Sequence, residues 1–118
     1  MTGLTTHVLD TTRGRPAAGV AIELFSLAPN GVATLIAREK TNADGRTDAP
    51  LVSPENAKVG IYELRFHIGR YFAAQGDVTA DPPFLDVVPI RFSIADPEAH
   101  YHVPLVATPW SYSTYRGS

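Results

Sequence analysis

The chain has 118 residues, 44% hydrophobic and 19% charged, with a formal net charge of -2 at pH 7. That balance predicts one globular domain over 1–118 and excludes both a disordered chain and the clustered cations of a nucleic-acid surface. The absence of cysteine excludes disulfides, thiolate metal ligands and a cysteine nucleophile.

The predicted elements are β from end to end. Thr5 to Leu9 is a short β-prone segment, closed by Asp10 and the turn-rich Arg13-Gly14-Arg15-Pro16. Val20, Ile22 and Leu24 alternate with Ala21, Glu23 and Phe25, the pattern of a strand with one face on a core. Asn30-Gly31 is a hairpin signal with Val32 to Lys40 as the return strand. Asn42-Ala43-Asp44-Gly45 is a second turn. Ile61 to Ile68 reads as a strand with Tyr62, Leu64, Phe66 and Ile68 on one face and Glu63, Arg65 and His67 on the other. Arg70 to Gly76 reads as a helical turn stopped by Gly76, and Asp77 to Pro83 as a loop.

Val88, Ile90, Phe92 and Ile94 repeat the alternation, with Pro89 marking an edge or a bulge. After the Asp96-Pro97-Glu98 turn, Tyr101, Val103 and Leu105 share one face, and His100, His102 and Pro104 the other. Seven or eight short strands with one short helix predict an all-β, two-sheet sandwich. No apolar run is long enough to span a bilayer, and Met1-Thr2-Gly3-Leu4 lacks the charged and apolar regions of a secretory signal. The terminal Arg116-Gly117-Ser118 is not a peroxisomal address. The expectation is a soluble, cytoplasmic protein.

Four polar positions could carry chemistry: His7, Arg46, His102 and Tyr115. No contiguous motif joins them, so the fold must bring them together. His100 and His102, at i and i+2 on one strand face, could ligate a metal ion with His7 as third ligand, although no carboxylate at ligand spacing supports this. Taken singly, each has a plain structural role: His7 as a half-exposed strand residue, Arg46 as a solvated cation after a turn, Tyr115 as a packed aromatic. Ser111, Ser113 and Thr114 lack the GxSxG surroundings of a nucleophile elbow. These residues by themselves define a sandwich and not a reaction.

Three blocks carry a resemblance. They are Leu4-Thr5-Thr6-His7-Val8-Leu9-Asp10 with Arg13-Gly14-Arg15-Pro16-Ala17; Thr41 through Gly45-Arg46-Thr47-Asp48; and His100-Tyr101-His102-Val103-Pro104-Leu105 leading to Tyr112-Ser113-Thr114-Tyr115-Arg116-Gly117-Ser118. With them the chain resembles the transthyretin-related proteins, and among these the 5-hydroxyisourate hydrolases, over essentially its whole length. The terminal Tyr-Arg-Gly-Ser, with His at positions 7 and 102, sets that branch apart from the hormone carriers.

The resemblance implies a transthyretin-like (prealbumin-like) sandwich, assembled as a homotetramer with active sites at the dimer–dimer interface. It implies hydrolysis of 5-hydroxyisourate to 2-oxo-4-hydroxy-4-carboxy-5-ureidoimidazoline in urate catabolism, a cyclic amide hydrolysis needing no cofactor and no metal. His7, Arg46, His102 and Tyr115 would be the site residues, with Ser118 at the edge. His7 or His102 would activate water, since an imidazole titrates near neutrality. Arg46 would stabilise developing negative charge, and Tyr115 would donate a hydrogen bond or close the pocket. The alternative is a non-enzymatic, transthyretin-like protein that binds a small aromatic ligand. Val106, Ala107 and Trp110 depart from the family's usual Leu, Leu and Tyr, which bears on packing and assembly more than on the four site positions.

Overall fold

A computed structural model describes residues 3–117. The strands are β1 (Gly3–Asp10), β2 (Arg15–Pro16), β3 (Ala21–Leu27), β4 (Ala33–Lys40), β5 (Gly60–His67), β6 (Val87–Ile94), β7 (His100–Ala107) and β8 (Tyr112–Thr114), with one α-helix, α1 (Ile68–Ala74), after β5. They form two four-stranded sheets, ordered β2-β1-β7-β8 and β4-β3-β5-β6. All pairings are antiparallel except β1 with β7.

The alternation in sequence decides which face each strand buries. On β1, Leu4, Thr6, Val8 and Asp10 are buried, while Thr5, His7 and Leu9 are only partly covered. On β7, Tyr101, Val103, Leu105 and Ala107 point into the same core. The other sheet contributes Ile22, Leu24, Leu64, Phe66, Val88 and Ile90. Fully burying a side chain such as Leu64 or Phe66 stabilises the fold by roughly 1.5–3 kcal/mol. Thr6 tolerates its place among these groups because its hydroxyl donates to the Val103 carbonyl at 2.6 Å.

The turns behave as their residues require. Gly31, at φ 87°, closes the β3–β4 connection with a bond to the Ala28 carbonyl. Pro89 lies on β6, an edge strand whose only partner among the described residues is β5.

Three elements differ from the sequence expectation. The helix starts at Ile68, not Arg70, so Ile68 ends no strand and is instead the first, buried residue of α1. The reason is a contact with a later segment: Gly69 donates to the Asp86 carbonyl at 2.9 Å, and a Cβ there would sit 2.7 Å from Asp86 Oδ1. The Arg15–Pro16 turn segment also pairs with Leu9 and Asp10 as a two-residue strand. Glu63, on the outward face of β5, is nevertheless buried, because Arg65 and Arg91 fold over its carboxylate at 2.8 and 3.2 Å.

A buried polar network ties the helix to the end of β1. Asp10 accepts from the Tyr71 hydroxyl at 2.7 Å and from Arg13, which also pairs with Asp77 at 2.6 Å. Among the described residues no helix is long and apolar enough to cross a membrane.

Candidate active site

The outer face of the β2-β1-β7-β8 sheet carries the candidate site. Period-2 alternation sends Thr5 and His7 outward from β1, and His100 and His102 outward from β7. The parallel register sets Thr5 directly beside His102 and His7 beside Pro104, so the four side chains form one patch.

Arg46 reaches this patch through the turn before it. The Asn42 side-chain oxygen accepts from the Asp44 and Arg46 amides, and Gly45 then takes φ 74°. There the Gly45 carbonyl accepts from Val8 N at 2.8 Å, and Arg46 forms a bridge with His7. A Cβ on Gly45 would lie 2.5 Å from the Val8 carbonyl oxygen, so the approach depends on glycine.

The C-terminal segment closes the other side. Gly117 N donates to the His102 carbonyl at 2.8 Å, and its missing side chain leaves room for the His102 ring, which a Cβ would approach to 2.6 Å. Arg116 pins the segment by stacking over the Tyr101 ring at 4.2 Å and donating to the His100 carbonyl. Tyr115, 56% exposed, stands at the rim.

The result is a cleft of about 260 Å³ lined by Thr5, His7, Arg46, His100, His102, Tyr115 and Gly117. His7, Arg46, His102 and Tyr115 therefore share one hollow; Ser118 lies outside the described residues. A larger hollow, about 510 Å³, lies between Ile36, Pro50–Ser53 and Tyr62, but Lys58 is its one ionisable neighbour besides that tyrosine.

Within the cleft His7 Nδ1 and His102 Nε2 are hydrogen-bonded at 2.7 Å, with ring centroids 4.9 Å apart. His102 Nδ1 is bonded to the Thr5 hydroxyl at 2.8 Å. Both nitrogens of His102 are thus engaged and the residue is 7% exposed, while His7 keeps Nε2 for the cleft. Two of the nitrogens that a His7, His100 and His102 metal site would use point at one another instead.

The electrostatics favour the uncharged form of both rings. Burial first, then His7, Arg46 and His100, push His102 down to about 4. Burial and the Arg46 charge also lower His7 from its ordinary value. An uncharged imidazole beside a fixed cation can accept a proton from water, and the cation can hold an oxyanion.

Thr5 and Gly117 had no signal in a residue-by-residue search for chemistry, because neither is itself reactive. Parity was the available clue to Thr5, which sits two positions from His7 on the same strand face.

Fold and cleft together define a two-sheet sandwich with a histidine–arginine site on an outer sheet face. A family model described as HIUase/Transthyretin matches residues 4–117, and the chain belongs to that family. It is 59% identical over 117 residues to the 5-hydroxyisourate hydrolase of Deinococcus radiodurans, covering 98% of this chain and 96% of that one. Its fold is similar to a crystal structure of (S)-allantoin synthase, with TM-score 0.90 and 48% identity over 98% of this chain and 43% of that chain. It is also similar to sea bream transthyretin in complex with thyroxine, with TM-score 0.85 and 31% identity, covering 97% and 93%.

Proposed function

We propose that this chain, acting as a single domain, hydrolyses 5-hydroxyisourate to 2-oxo-4-hydroxy-4-carboxy-5-ureidoimidazoline in urate catabolism. The observation that carries the reading is the His7–His102 pair, joined at 2.7 Å in the cleft that Arg46 lines. The hydrolase name of relatives such as the one at 59% identity supports the choice of substrate.

His7 Nε2 is the general base, since His102 has both nitrogens occupied. It takes a proton from water as the oxygen adds to the ring carbonyl carbon. The Arg46 guanidinium holds the oxyanion through its planar fork. The carbon–nitrogen bond then breaks, and the same proton goes to the leaving nitrogen. Positioned proton transfer of this kind contributes about 10²–10⁴-fold. Tyr115 donates from the rim. The chemistry requires no cofactor or metal.

The working form is a cytoplasmic homotetramer with sites at the dimer–dimer interface. Trp110, 64% exposed, and Tyr112 and Tyr115, also exposed, are large aromatic side chains on and around β8 that a second copy could cover. The carrier reading has a thyroxine-bound neighbour behind it at 31% identity, but an ionic, hydrogen-bonding cleft suits a polar heterocycle better than an apolar hormone.

The test is ultraviolet decay of 5-hydroxyisourate generated from urate by urate oxidase. Addition of the protein accelerates the decay, and Arg46→Ala removes the acceleration without unfolding the chain. Decay indistinguishable from buffer, with ligand-dependent thermal stabilisation, would establish a binding protein instead.

A further inference from the structure

Hydrogen bonding in the cleft does not stop at His102. The Thr5 hydroxyl that meets His102 Nδ1 at 2.8 Å also meets His100 Nε2 at 3.3 Å. The sequence His7, His102, Thr5, His100 is therefore continuous, and the His100 and His102 rings lie nearly parallel, 11° apart. At its far end His100 Nδ1 is buried with no hydrogen-bond partner among the described residues.

We propose that Thr5 and His100 are positioning residues for the hydrolysis, setting the tautomers of His102 and His7 and receiving, through the hydroxyl, the positive charge that His7 gains on taking a proton from water. This rests on the hydrolase reading above.

The argument is one of donor and acceptor counting. A neutral imidazole has one N–H and one lone pair, and a hydroxyl can donate once while accepting. Every contact in the row must pair a donor with an acceptor, so the row has only two polarities. For His7 Nε2 to offer a lone pair to water, His7 must carry its hydrogen on Nδ1 and donate to His102 Nε2. His102 then donates from Nδ1 to Thr5, and Thr5 donates to His100 Nε2. In the opposite polarity His7 presents N–H to the cleft and is no base. The unpartnered His100 Nδ1 does not decide between them, since either a hydrogen or a lone pair there is unmatched; the demand at His7 does.

The same row balances the proton. As water's oxygen bonds to the carbonyl carbon, its proton goes to His7 Nε2. The His7 Nδ1 hydrogen passes to His102 Nε2, that of His102 Nδ1 to Thr5 Oγ1, and that of the hydroxyl to His100 Nε2. The positive charge leaves His7, where Arg46 opposes it, and comes to rest on His100. Among the described residues no acceptor meets His100 Nδ1, so none of them takes the proton from that end. When the ring nitrogen departs it takes the proton on His7 Nε2, and the row runs back.

The experiment compares wild type, Thr5→Val, Thr5→Ser and His100→Gln in kinetics and histidine ¹⁵N NMR, with folding checked by thermal melts. Valine keeps the shape of threonine without the hydroxyl; glutamine can bond Thr5 but cannot carry the charge. Expected for Thr5→Val and His100→Gln is a kcat loss of about 10–100-fold, the range typical for outer partners of a working imidazole, with KM within about twofold. A multi-proton solvent isotope inventory in wild type should become single-proton in both, and Thr5→Ser should restore it. Independently of turnover, NMR of wild type should show Nδ1–H on His7 and His102, lost in Thr5→Val and kept in Thr5→Ser. Tautomers unmoved by Thr5→Val, or kcat for both variants within about twofold of wild type, overturns the proposal. A wild type that shows these tautomers yet no turnover sinks the hydrolase reading and leaves the tautomer-setting role supported.

Discussion

Replacing Gly117 by alanine should disable the site while leaving the fold standing. A Cβ at position 117 would lie 2.6 Å from Cδ2 of His102 and 3.3 Å from its Cγ. Carbon atoms pack at about 3.5–4.0 Å, so roughly 1 Å of separation must be found. The His102 ring cannot rotate to supply it without breaking its 2.7 Å bond to His7 and its 2.8 Å bond to Thr5. The tail cannot withdraw without losing the 2.8 Å bond from Gly117 N to the His102 carbonyl and displacing Tyr115. Either response misplaces a site group by about 1 Å, which costs about a hundredfold in rate. The stability cost is one peripheral backbone bond, about 1 kcal/mol, or a few degrees in Tm. Stopped-flow decay of 5-hydroxyisourate and a thermal melt on the same sample measure both. A Gly117→Ala protein that turns over within about threefold of wild type would refute the steric reasoning.

Four further outcomes are expected. Because His102 is held at about 4 and His7 below its ordinary value of 6.5, the acid-side loss of kcat/KM should be centred below 6.5, the pair titrating as a unit; a loss centred at or above 6.5 would contradict this. The same depression has a sign for stability: the contribution is complete above about 6.5 and is lost as pH falls towards about 4, because the unfolded chain takes the protons first, and urea titrations across that window should record the decline. Arg46→Ala removes a charge that lowers both histidines, so the acid limb of any residual activity should move to higher pH, as a rate profile will show. Tyr71→Phe removes the donor to buried Asp10 and should destabilise the fold by about 1.5–3 kcal/mol, read by denaturant titration, with kcat unchanged.

The alternation Leu4, Thr6, Val8 against Thr5, His7 determined by itself that His7 would leave the core face, because a strand has only two sides. The same rule put His100 and His102 on one outward face, and proline's missing N–H marked Pro89 as an edge or a bulge. Turn chemistry at Asn30-Gly31 and Asn42 to Gly45 was equally legible, since φ above zero and side-chain bonds to nearby amides are local properties. The Ile68 helix start was not, because it depends on Gly69 meeting Asp86, in a segment well beyond the helix.

Only the tertiary structure decided which outward faces meet. The sequence holds His7 and His102 ninety-five positions apart, and nothing local says that β1 and β7 are parallel neighbours in the register that sets Thr5 beside His102. That pairing turns two strand histidines into a bonded pair with lowered proton affinity, and it gives Gly45 and Gly117 their purpose as points of close approach. Hydrophobic patterning is a property of one strand at a time. A site made from four segments depends on long-range register, which only the packed sheet fixes.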